Sequence, residues 1–94
     1  MLAEPLASTS AGKDPTTLAA IRQIVLQHGR LSVTEVKDDD DLYRAGLTSL
    51  ATVGVMLALE ERFDVEFPET MLGRATFRSV EAMADAVARL ANAG

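Results

Sequence analysis

The chain has 94 residues, with 9 Lys plus Arg against 14 Asp plus Glu, one His and no Cys, for a formal charge of −5. That length holds one small domain with a thin core, and a 48% hydrophobic fraction with few aromatics (Tyr43, Phe63, Phe67, Phe77) leaves most of the filling to aliphatic side chains. The lack of Cys excludes a disulfide framework, a thiolate metal site and a cysteine nucleophile, and scattered basic residues on an acidic chain argue against a nucleic-acid partner.

No apolar run approaches the roughly 20 residues of a bilayer span, so no membrane partner is expected. Met1 to Pro5 carries Glu4 but no Lys or Arg, unlike the charged start of a signal peptide. A cytoplasmic protein that works through partners is expected. Residues 1–13 are small, polar and unpatterned and read as a flexible lead-in, which leaves a domain over residues 14–92.

Asp14-Pro15 supplies a cap followed by proline at the first helical position. Leu18, Ile21, Ile24, Val25 and His28 then recur at helical spacing, and Gly29 serves as a C-terminal cap, which predicts a helix over 15–28. His28 ends that helix and suits the negative end of its dipole better than a role as a base. Residues 30–47 make a long connection in which Leu31, Val33, Val36, Leu42, Tyr43 and Leu47 are spaced as if packing over a core. The acidic run from Asp38 to Asp41 lacks the calcium-loop pattern, because its sixth and twelfth positions are Tyr43 and Ser49 rather than Gly and Glu.

A second helix is predicted over 49–63, ending at Asp64-Val65-Glu66-Phe67-Pro68. A short third helix or turn is predicted over 69–73. Ser79 then caps a last helix with an apolar face of Val80, Met83, Ala84, Val87 and Leu90. The fold class is all-α, a small four-helix bundle with a long first loop.

The second helix carries two apolar faces. With Leu50 at zero, Val55, Met56, Leu59 and Phe63 fall between roughly 140° and 240°, while Leu50, Val53 and Leu57 fall between roughly 300° and 360°. Glu60 near ~280° and Glu61 near ~20° bracket the second stripe. An apolar strip with a charged rim is the form of a docking surface. Cover by the long loop accounts for the same periodicity, and both readings stay open at this stage.

Ser49 follows Gly46-Leu47-Thr48 at the start of this helix, where serine commonly serves as the N-cap. The positive end of the helix dipole would also favour a phosphate ester on its hydroxyl, although that physics does not demand one.

The run Asp41-Leu42-Tyr43-Arg44-Ala45-Gly46-Leu47-Thr48-Ser49-Leu50 resembles the attachment motif of acyl carrier and peptidyl carrier proteins. The stretch from Val53 through Phe63 to Pro68, and Thr76-Phe77-Arg78-Ser79-Val80 before the last helix, are similar to the same family, so the likeness spans about 15–90. The resemblance implies a 4′-phosphopantetheine arm, taken from coenzyme A by a pantetheinyl transferase and fixed to Ser49. The thiol of that arm would hold an acyl or aminoacyl group, loaded by an activating ligase and delivered to a downstream acceptor enzyme. Thr48, Leu50, Val53, Leu57, Glu60 and Glu61 would form the partner surface, and the chain would be a non-enzymatic monomer.

Two positions depart from carriers of fatty-acid synthesis: Thr48 stands where they usually have Asp, and Gly54 where they often have an acid. Both remove negative charge from the surface that basic partners read, and the loop-plus-helix pattern is similar to that of the small stand-alone carriers of bacteria, some of which are loaded with an amino acid. A fatty-acyl or polyketide-type carrier is the first alternative. The second is an unmodified acidic helical interaction module using the same stripe.

Overall fold

The computed structural model describes residues 14–93. Its helices are α1 (Pro15–His28), α2 (Ser49–Phe63), α3 (Arg74–Phe77) and α4 (Val80–Ala93), with a 3-10 turn at Glu69–Met71. The described residues contain no strand. The flexible segment expected over 1–13 lies outside the described residues.

The start of α1 is built as its sequence requires. Asp14 Oδ1 accepts from the Thr16 N–H at 2.9 Å, and Pro15 fills a position whose missing N–H costs nothing. The Gly29 N–H donates to the Val25 carbonyl at 2.8 Å and closes the helix. A Cβ on Gly29 would lie 2.5 Å from that carbonyl, which is why the closing residue has no side chain. The left-handed residue falls one place later, at Arg30 with φ 54°.

Helices α1, α2 and α4 meet around Ile21, Val25, Val55, Leu59, Val80, Met83 and Ala84. The core-facing stripe predicted for α2 holds at Val55 and Leu59, joined by Ala51, whereas Met56 and Phe63 sit half-buried at its edge. The face predicted for α4 is buried from Val80 through Val87, and Ser79 Oγ accepts from the Ala82 N–H at 3.0 Å as its cap. Phe77 and Phe67 close one end of the core with ring centroids 5.4 Å apart.

The long connection packs on this core through Val36, Leu42 and Leu47, while Val33 faces solvent. Its acidic run is tied down rather than simply solvated. Asp38 pairs with Arg22 of α1 at 2.6 Å, Asp40 accepts from the Lys37 N–H at 2.8 Å, and Asp41 accepts from the Tyr43 N–H at 3.0 Å.

The short helix or turn expected over 69–73 is present as the 3-10 turn, closed by the Met71 and Leu72 amides on the Pro68 and Glu69 carbonyls. Gly73 is extended, and a further single helical turn, α3, which the spacing does not predict, forms before the last helix. Burial of Phe77 supplies the reason: α3 is the turn that brings this ring into the core.

Candidate functional site

The site is held at the start of α2 by the loop before it. Leu42 is fully buried, and its carbonyl accepts from the Ala45 and Leu47 amides at 3.0 and 2.9 Å. The Leu42 amide donates to the Arg78 carbonyl at 2.7 Å, which fastens the loop to the start of α4. On its other side, Ser32 donates through both N–H (3.1 Å) and Oγ (2.9 Å) to the Ala45 carbonyl. Gly46 turns the chain with φ 113°, a conformation that favours glycine, and an added Cβ would also lie 3.3 Å from Ser32 N.

Thr48, not Ser49, is the N-cap of α2. Its backbone is extended (φ −104°, ψ 165°) and its Oγ1 accepts from the Ala51 N–H at 3.1 Å. Both residues are good cap formers, and it is Thr48, directly after the buried Leu47, that takes the extended position. Ser49 is therefore the first helical residue, exposed, with its hydroxyl left over from capping. The Ser49 and Leu50 amides belong to the first turn, whose N–H groups have no carbonyl above them, so the hydroxyl sits at the positive end of the helix.

The second apolar stripe of α2 is exposed. Leu50, Val53 and Leu57 keep 84%, 49% and 55% of their surfaces, so the loop does not cover them. The two bordering acids behave differently. Glu61 faces outward, whereas Glu60 Oε2 accepts from the Phe67 N–H at 2.9 Å and ties the chain after α2 back onto the helix. Glu60 therefore has an internal role that helical periodicity did not show.

Next to Ser49 lies a cleft of about 320 Å³ between α2 and α3, which shares Val53 with the exposed stripe. Ser49, Thr52, Val53 and Met56 form its α2 wall, Tyr43 comes from the loop, and Leu72, Arg74 and Phe77 complete it. The Tyr43 ring carries the Arg74 guanidinium, with Cζ 4.4 Å from the ring centroid, and its hydroxyl lies 3.4 Å from Thr52 Oγ1. Neither Tyr43 nor Arg74 was predicted as a site residue, and no periodicity marks them: they meet only when α3 folds back. A separate groove beyond the helix start is lined by His28, Arg30, Thr48 and Leu50.

An exposed hydroxyl at a helix start, freed from capping and next to an uncovered apolar strip, is the kind of place where a group can be attached and presented to other proteins, which is the work of a carrier. The chain belongs to the family described as "Phosphopantetheine attachment site", whose model matches residues 19–87. It is 46% identical over 71 residues to the aminoacyl carrier protein of Agrobacterium fabrum, covering 73% of this chain and 86% of that one. It is 35% identical over 74 residues to the D-alanyl carrier protein of Streptococcus uberis, covering 76% of this chain and 94% of the relative.

Among solved structures, it is similar to a chain in the crystal structure of an engineered Bradyrhizobium japonicum glycine:[carrier protein] ligase complexed with carrier protein from Agrobacterium tumefaciens and ATP. The TM-score is 0.73 at 43% identity, covering 78% of this chain and 97% of that one. The group characteristic of the family is covalent 4′-phosphopantetheine. The residues here fit it, because an exposed hydroxyl freed from capping can be esterified without dismantling the helix, and the first-turn amides face the added negative charge.

Proposed function

We propose that this chain is an aminoacyl carrier whose arm is attached to Ser49. The observation that carries the reading is the division of labour at the start of α2: Thr48 caps the helix and leaves the exposed Ser49 hydroxyl free for a phosphodiester. The likeness to an aminoacyl carrier and to a chain crystallised with a glycine:[carrier protein] ligase supports an amino acid as the cargo. A pantetheinyl transferase installs the arm, an amino acid-activating ligase loads its thiol, and a downstream acceptor enzyme collects the group. The chain contributes presentation rather than catalysis, acts as a monomer, and works in the cytoplasm through a carrier domain over 14–92.

The exposed Leu50, Val53 and Leu57, rimmed by Thr48, Glu60 and Glu61, form the surface that the loading ligase grips. Glu60 takes part through the oxygen not committed to the Phe67 amide. No helix among the described residues is long and apolar enough to cross a membrane.

Intact mass before and after incubation with coenzyme A and a broad-specificity transferase tests the attachment. A gain of one phosphopantetheine that maps to Ser49, followed by a further gain of one aminoacyl group with ATP, an amino acid and a carrier-loading ligase, is expected. No gain on folded protein, or a gain that persists in Ser49→Ala, overturns the assignment.

A further inference from the structure

Arg74 occupies a particular position relative to the attachment serine. It lines the same cleft as Ser49, on the wall opposite α2. Its guanidinium lies over the Tyr43 ring at 4.4 Å, and Tyr43 in turn reaches Thr52 at 3.4 Å. Thr52 lies three residues beyond Ser49, on the same face of α2. A cation thus lines the same cleft as the serine, held there by a chain of contacts that runs back to the helix bearing that serine.

The charge of Arg74 is not spent on a carboxylate among the described residues, in contrast to Arg22, which pairs with Asp38. A contact to an aromatic face consumes none of the N–H donors of a guanidinium, and those donors match the oxygens of a phosphate. The one anion that the carrier reading adds to this cleft is the phosphodiester at Ser49.

We infer that Arg74 pairs with that phosphodiester and holds the root of the arm on the α3 side of α2, with Tyr43 as the shelf that fixes the guanidinium. The inference rests on attachment at Ser49. Arg30 is the natural competitor, because it lines the groove with Thr48 and Leu50 on the other flank of the helix start. That guanidinium has no aromatic shelf in the described structure, so the order of preference is clear. Arg74 would be a cofactor-contacting residue supplied by α3, and removing it would free the arm to swing without altering the carrier fold.

The test uses the holo protein, prepared with coenzyme A and transferase, and reads the phosphorus resonance of the phosphodiester by 31P NMR in wild type, Arg74→Gln, Arg74→Lys and Arg30→Gln. Mass spectrometry first establishes that every sample carries the arm at Ser49, and circular dichroism that each is folded. At ~20 mM salt the wild-type resonance is expected to be displaced from that of Arg74→Gln. Raising the salt to ~0.5 M should move the wild type toward the variant, because an exposed ion pair is screened. Arg74→Lys should restore part of the displacement, since it keeps the charge but loses the forked donors, and Arg30→Gln should match the wild type. A resonance that ignores Arg74→Gln, or follows Arg30→Gln instead, overturns the pairing while leaving the carrier reading intact. A failure to gain mass at Ser49 overturns both.

Discussion

Replacing the two adjacent hydroxyl residues at the start of α2 should have opposite consequences. Thr48→Ala removes the side chain that accepts the Ala51 N–H at 3.1 Å, so an N-cap is lost. Such a loss costs about 1 kcal/mol, which in a domain of about 60–100 residues lowers Tm by about 4–8 °C. Ser49→Ala removes no capping bond, and alanine is the better helix former by about half a kcal/mol, so Tm should stay level or rise slightly. Thermal denaturation followed by circular dichroism measures both changes, and intact mass after transferase treatment measures the chemistry. Thr48→Ala should melt earlier yet still accept the arm, whereas Ser49→Ala should melt normally and accept nothing. A Tm loss in Ser49→Ala equal to that in Thr48→Ala would refute the assignment of the cap, and arm attachment to Ser49→Ala would refute the site.

Leu57 is 55% exposed, so Leu57→Asp should change stability by less than about 0.5 kcal/mol while raising the KM of a loading ligase for the carrier; a collapse of Tm would show instead that the residue belongs to the core. Val87→Asp places a charge at a site only 4% exposed and should cost about 3 kcal/mol or more, so a near-unchanged melting curve would contradict the packing of α4. Phe63→Ala should cost less than the about 3–5 kcal/mol of a fully buried phenylalanine, since this ring sits half-buried at the end of α2, and chemical denaturation would expose a larger loss.

The three long helices were legible because each carries its own punctuation. Asp14-Pro15 opens α1, Ser79 opens α4, and the apolar spacing between caps is regular. The turn at 69–71 was legible as a short helix or turn, but α3 was not, since nothing in 69–77 repeats with a helical period and this one helical turn forms around the burial of Phe77. At the proposed site, the motif around Ser49 is what singles that residue out as the attachment candidate. The identity of the cap could not be read in this way, because propensity favours serine over threonine at that position, whereas the folded chain uses Thr48.

Periodicity placed Leu50, Val53 and Leu57 on one stripe but left its exposure open, since exposure depends on where the long loop lies. The loop spends Val36, Leu42 and Leu47 on the core instead of on that stripe. The bond from the Phe67 amide to the Glu60 carboxylate and the stack of Arg74 on Tyr43 join residues with no helical phase in common, and only the folded chain brings them together.

The hydrogen bonds from the Leu42 amide to the Arg78 carbonyl, where α3 passes into α4, and from the Glu81 amide of α4 to the Asp38 carbonyl make the turn before Ser49 part of the same cooperative unit as α4. Residues far apart in the chain must both be in place for the Leu42 amide to be shielded. Its exchange with solvent deuterium should therefore follow the opening of the α4 end of the bundle rather than the faster fluctuations of an independent loop. A carrier built this way does not loosen its serine by letting the loop breathe. With the arm on Ser49 as proposed, freedom of movement is left to the arm, while its point of suspension stays fixed for as long as the bundle is closed.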